Sequence, residues 1–146
     1  MERTELSKAE WLDKAEGYCA RSEHCAADVR RKMYAWGTPA DFSDEIVEKL
    51  YARDFLNDAR FCRAYVHDKV EYQSWGRMKI QAGLRALSLP EKDIREAREG
   101  LDETVYRKNL RTLIASRRGD SEEKRMRFLL QRGFSFDEIK GEGARC

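Results

Sequence analysis

Proline and histidine are scarce in this chain, its cysteines show no C-x-x-C spacing, and no long apolar run is present. Two prolines among 146 residues leave few segments barred from helix. β-Branched residues are sparse, while Ala, Leu, Glu, Lys and Arg dominate, which favours helix over strand. No stretch nears the roughly 20 apolar residues of a membrane-spanning helix, and no secretory leader is evident. The expectation is a cytoplasmic protein with no membrane association. The two histidines fall in unrelated segments, without a partnered nucleophile or an orienting acid. Gly133-Phe134-Ser135 lacks the lysine and the strand context of a phosphate-binding loop. Cys19, Cys25, Cys62 and Cys146 form no C-x-x-C pair, and reduced thiols are expected. His24 beside Cys25, with Cys19 near, matches no common zinc spacing. Cys62 reads as a small hydrophobe, and Asp58 after Asn57 reads as a helix cap rather than a carboxylate ligand. The chain is therefore expected to hold no metal, cofactor or catalytic residue and to be no enzyme.

Charge and helical periodicity are abundant instead. Charged residues make up 38% of the chain and aromatics 10%, and the apolar positions recur with helical spacing. The net charge of +2 is unevenly distributed. Residues 1–6 carry −1, 7–54 carry −2, 55–101 carry +2 and 102–146 carry +3. Val105 to Arg118 (VYRKNLRTLIASRR) and Ser74 to Leu87 (SWGRMKIQAGLRAL) contain cations and no acid. That bias suits an anionic partner, although a solvated helix face explains it as well on charge alone.

Helix starts reveal a repeat. Ser135 is a good N-cap with Glu138 at N3, flanked by Phe134 and Ile139 as a hydrophobic staple. The same five-residue apolar spacing joins Phe42 to Val47, Leu56 to Phe61 and Leu89 to Ile94. Asn57 is a cap candidate, and Pro90 stands where a cap would be. Three basic amphipathic helices each run into a stop and then a new start: ADVRRKMYAWG, MKIQAGLRALS and KRMRFLLQRG. The first stop, Gly37, lies three residues further from its next isoleucine than the others do, which predicts an insertion around Thr38-Pro39-Ala40. A further helix precedes each pair. The expected fold is all-α, an elongated array of three tandem three-helix repeats resembling helix-turn-helix units. The repeats are expected over 1–54, 55–101 and 102–146, with the last helix short and running toward Cys146. One such unit cannot bury its apolar faces alone, so neighbours must stack. Each unit is roughly 20 Å wide, so three in a row extend roughly 60 Å. That shape suits a polymer better than an enclosed reaction centre.

The basic candidates for partner or DNA contact are Arg30, Arg31 and Lys32 in the first repeat and Arg77, Lys79 and Arg85 in the second. In the third they are Arg117, Arg118, Lys124, Arg125, Arg127 and Arg132. Such groups contact phosphates and give salt-dependent binding. Arg60, near a helix start, is expected to be an architectural ion pair. Trp36 and Trp75 at helix ends read as core lids before stacking platforms. A DNA-binding helical-repeat protein of transcription-factor type remains an alternative, weakened by the acidic first repeat. A general helical-repeat adaptor is another.

Four segments resemble a known family. Leu56–Phe61 (LNDARF) is similar to L-D-D-x-R-F/Y, and Trp75–Ile80 (WGRMKI) is similar to G-Y-G-P-x-R-I. Arg127–Ser135 with Asp137-Glu138-Ile139 resembles R-F-L-x-R-R-G-F-S-x-E-x-I, and Ala27–Met33 resembles E-L-R-R-K-L. Their order and spacing, from about Lys8 to Ile139, are those of RecX, the bacterial regulator of the RecA recombinase. Asn57 departs from the first Asp of that pattern, Arg77 from its Pro and Trp75 from its Tyr. The resemblance implies a non-enzymatic, monomeric modulator that lies in the groove of the RecA–single-stranded DNA filament. It also implies dampened filament extension, ATP hydrolysis, strand exchange and coprotease activity.

Overall fold

Short polar side chains set several of the helix starts. The Ser135 hydroxyl accepts from the Glu138 N–H at 3.1 Å, and the Glu138 carboxylate accepts from the Ser135 N–H at 2.9 Å. Ser7 and Glu10 repeat this exchange at 3.2 and 3.0 Å. Asn57 accepts from the Arg60 N–H at 2.9 Å, and Asp102 and Ser121 cap two further starts. The structure is a computed structural model, and it describes residues 5–144. Cys146 lies outside the described residues.

Among the described residues all regular elements are helices, nine in number. They are α1 Lys8–Arg21, α2 Ala26–Trp36, α3 Ala40–Ala52, α4 Asp58–Gln73, α5 Arg77–Ala86, α6 Glu91–Glu99, α7 Glu103–Ser116, α8 Glu122–Gln131 and α9 Phe136–Gly143. The fold is an all-α tandem array of three-helix units.

The middle helix of each triplet ends in the same way. Gly37, Ser88 and Gly133 follow α2, α5 and α8 with φ of +81°, +62° and +100°. In each case the next N–H reaches back five residues: Thr38 to the Met33 carbonyl, Leu89 to Leu84 and Phe134 to Leu129. This left-handed stop satisfies the last carbonyls and turns the chain sharply into the next helix. The first triplet differs from expectation in one respect. Residues 38–40 do not form a loop insertion; α3 starts at Ala40, so Phe42 lies inside the helix and not ahead of it. Pro39, at φ −56°, is preorganised for a helix start, so the extra residues lengthen α3 by most of a turn.

The chain divides into two compact units, the first ending at Phe61 and the second beginning at Cys62. The division falls inside α4. In the first unit α1, α2 and α3 pack pairwise around Ala15, Val29, Met33, Ile46 and Leu50, all essentially inaccessible. Tyr51 donates to Asp58 at 2.7 Å, and Arg60 donates to Glu23 at 2.5 Å and to Asp54 at 3.2 Å. Arg60 therefore ties the start of α4 to the chain just before it and to the turn between α1 and α2. In the second unit α5 packs on α6, and α7, α8 and α9 pack on one another. Ile80, Leu84 and Ile94 fill the first group; Tyr106, Leu110, Leu129 and Phe134 fill the second. Asn109 donates to the Val70 carbonyl at 2.8 Å and joins α7 to the end of α4.

Candidate functional site

Two glycines bring the second and third triplets together. The Gly76 N–H donates to the Arg132 carbonyl at 2.8 Å, and the Met78 N–H donates to the Gly133 carbonyl at 3.0 Å. A Cβ on Gly76 would overlap the Gly133 carbonyl group, and one on Gly133 would overlap Lys79. The backbones meet only because neither residue has a side chain.

Arg77 sits beside this crossing. Its guanidinium lies 4.2 Å from the centroid of Tyr106, pairs with Glu138 at 2.5 Å and also pairs with Glu103. The Arg77 N–H donates to the Tyr106 hydroxyl at 3.1 Å. Burial opposes ionisation of Glu138, but the Ser135 N–H, the Tyr106 hydroxyl and Arg77 outweigh it and hold the carboxyl below its ordinary range. Burial pushes the Tyr106 phenol well above its usual value. Arg77 is thus half of a bridge between α5, α7 and α9. The sequence contained no sign of this cluster, because its partners lie 26 and 61 residues away. The glycines and the capping role of Glu138 were the visible part.

The other basic candidates fall into distinct environments. Arg30 pairs with Asp44 at 2.7 Å, Arg31 with Asp28 at 3.6 Å, and Arg85 grips Glu91 at 2.7 and 3.1 Å. These pairs are largely exposed and weak, about 0–1 kcal/mol each, so a partner's anion can displace them. Arg125 donates to the carbonyls of Arg117 and Asp120, both at 3.3 Å, and so caps the end of α7. Arg132 donates to the Gln73 carbonyl beside the glycine crossing. Arg117 stacks on Phe128, 3.7 Å from its centroid, and faces Asp120, as does Lys124 at 3.9 Å. Lys32 lies over Tyr18 and Trp36 at 5.7 and 6.0 Å. Lys79 and Lys69 both lie over Trp75, at 4.4 and 4.5 Å. Arg118 and Arg127 are exposed and have no side-chain partner among the described residues. The segment from Arg117 to Arg127 therefore holds the least neutralised charge among the candidates of the third triplet.

The thiols do not assemble a site. His24 contacts Ser22 at 3.1 Å and Asp28 at 3.4 Å. Among the described residues no group of three His, Cys, Asp or Glu is placed to hold a metal ion. No described helix is long and apolar enough to cross a membrane. Cys62 is fully buried. Burial, aided by nearby carboxylates, pushes the Cys19 thiol up to about 11, and burial also raises Cys25. In native protein at pH 8, peptides carrying Cys19 and Cys25 are expected to alkylate with iodoacetamide at least about 10-fold more slowly than in urea. Equal rates by mass spectrometry would show these thiols to be accessible and reactive.

Comparison with known proteins places this geometry among relatives. The model for the second three-helix domain of RecX matches residues 57–97. A regulatory protein RecX of Chlorobaculum tepidum is 33% identical over 146 residues, covering 93% of this chain and 88% of its own. One from Leptothrix cholodnii is 32% identical over 130 residues, covering 84% and 80%. The crystal structure of a regulatory protein RecX superposes with a TM-score of 0.76 at 22% identity, over 99% of this chain and 82% of that one. The crystal structure of RecX from Lactobacillus salivarius gives 0.77 at 20% identity, over 94% and 95%. At those identities the two crystal structures speak for the fold.

Proposed function

The chain belongs to the RecX family of regulatory proteins, and from that premise we propose that it binds the RecA–single-stranded DNA filament and restrains it. It acts in the cytoplasm as a monomer and regulates without catalysing. Its three modules, 1–54, 55–101 and 102–146, each contact the filament along its groove. The boundaries fall between α3 and α4 and between α6 and α7. Many modest contacts made by linked modules act as one, so high avidity needs no deep pocket. A body that fits one filament geometry better than another shifts the filament by that difference in affinity. Restraint of filament extension, ATP hydrolysis, strand exchange and coprotease activity follows.

The observation that carries this reading is the unneutralised charge at Arg118 and Arg127, flanked by Arg117 and Lys124. We assign partner contact first to these residues and second to Lys79, Arg30, Arg31, Lys32 and Arg85, whose present partners are carboxylates or aromatic rings. Arg77, Arg125 and Arg132 serve the fold. Reversing Arg118 and Arg127 together to Glu is expected to weaken co-pelleting with RecA filaments by about 10-fold, or about 1.4 kcal/mol. Folding should be preserved, because both side chains are exposed. Unchanged co-pelleting would remove this face from the contact. Tight, sequence-dependent shifts of bare duplex would instead favour a DNA reader of transcription-factor type.

A further inference from the structure

Among the described residues of the first unit, the cations without an ion pair converge on one groove. Lys8, Arg30, Arg31, Lys49, Arg53 and Arg60 each face a carboxylate. Lys14, Arg21 and Lys32 face none among the described residues, and all three line the same groove of about 620 Å³ between α1 and α2. This happens in a stretch, residues 7–54, where eight Lys and Arg are outnumbered by ten Asp and Glu. The unit is acidic overall, yet its free positive charge is focused here. Among the described residues, Asp13 is the one acidic residue lining the groove.

The groove's walls are aromatic. Tyr18 stacks on His24 with centroids 3.9 Å apart and rings inclined by 14°. Trp36 stands edge-on to Tyr18 at 6.0 Å and 81°. The Lys14 ammonium rests over Trp36 at 4.5 Å, and Lys32 rests over both Trp36 and Tyr18. Lys14 and Lys32 are exposed on flexible stems. An incoming phosphate would draw these ammoniums off the ring, because an ion pair with a doubly hydrogen-bonding anion replaces a weaker ring contact. The indole face is then open to a flat partner. Aromatic rings interleaved with unpaired cations along a groove are the arrangement that takes bases by stacking and phosphates by charge.

We infer that the α1–α2 groove is a binding site for single-stranded nucleic acid, with a base on Trp36 and Tyr18 and the flanking phosphates on Lys14, Arg21 and Lys32. The site reads no sequence, because stacking accepts every base. A protein's acidic tail would satisfy the cations and leave the aromatic walls without a function. The site goes beyond filament binding and does not depend on it: it resides in the first unit and acts on a bare strand.

The test uses the full chain, no recombinase, and fluorescein-labelled oligothymidylate of roughly 12 nucleotides, within the span one such groove covers. Anisotropy in low salt is expected to give saturable binding. A matched abasic oligomer, with the same phosphates and no bases, should bind about 10-fold more weakly. Trp36→Ala should weaken the thymidylate about 10-fold and leave the abasic oligomer unchanged, while Trp36→Phe should restore most of the loss. Lys14→Glu with Lys32→Glu, at exposed positions that the fold tolerates, should weaken both oligomers by at least about 10-fold. Equal affinity for the two oligomers would overturn the inference, as would charge-reversed protein that binds like the wild type. Competition by thymidine monophosphate or polyglutamate at the same monomer concentration would also overturn it, by assigning the groove to a free nucleotide or to an acidic peptide. Each result is independent of whether the protein regulates RecA.

Discussion

Gly133→Ala lowers the melting temperature of the second unit by on the order of 15 °C, the largest loss expected of any conservative change in the chain. Two effects add. The residue sits at φ +100°, where an L side chain is strained by about 1–3 kcal/mol. Its new methyl would also overlap Lys79 and crowd the Gly76 carbonyl at 2.9 Å. Both neighbours belong to the start of α5, so relief requires parting the crossing and losing the Gly76 to Arg132 and Met78 to Gly133 hydrogen bonds. A total near 3 kcal/mol converts to the stated shift, at about 4–8 °C per kcal/mol for a domain of this size. Gly76→Ala is expected to behave similarly, because its methyl would overlap the Gly133 carbonyl. Gly141→Ala is the control: nothing lies near its added methyl, and alanine favours α9. Circular dichroism melts measure all three. A shift under about 3 °C for both Gly133→Ala and Gly76→Ala would mean that the second and third triplets do not meet there.

Arg77→Ala is expected to destabilise the same unit by about 2 kcal/mol at neutral pH, since removing one member of a partly buried pair strands the other. Glu138 is the residue stranded, with its side chain only 22% exposed. Glu103 is half-exposed and contributes little. The pH dependence has a definite sign. Glu138 has its folded pKa depressed, so its contribution is complete above the ordinary carboxylate value, about 4.3, and fades as pH falls through the folded value below it. The stability difference between wild type and Arg77→Ala should therefore be constant from about pH 5 upward and shrink on acidification. Urea titrations at several pH values measure it. A difference that is small at pH 7, or that grows below pH 4, would deny the bridge. Arg77 stands where the resemblance has proline, so this bridge is a feature of this chain rather than one to assume in its relatives.

Much of the fold was legible because it is written locally. Ser135 with Glu138, Asn57 with Arg60, and the stops at Gly37, Ser88 and Gly133 are all contacts within five residues, and the sequence displays such spacing directly. The start of α3 is less legible, because Phe42 and Val47 mimic a staple, and only the position of Pro39 ahead of a continuous helix distinguishes the two. The binding surface was far less legible. Arg77 and Arg127 look alike as basic residues on amphipathic helices. One is held by Glu103, Glu138 and Tyr106, and the other has no side-chain partner among the described residues, because pairing depends on what the third dimension brings near. Lys14 and Arg21 showed no signal at all. They lie in an acidic stretch, and only the packing of α1 against α2 sets them beside Trp36.

RecA ATP hydrolysis on single-stranded DNA, followed as this protein is added, tests the central claim most directly. A body spanning several protomers and restraining extension should slow hydrolysis at well below one copy per recombinase, with the Arg118 and Arg127 reversal shifting the titration to about 10-fold higher concentration. Hydrolysis that continues unchanged up to a full molar equivalent of wild-type protein would contradict it.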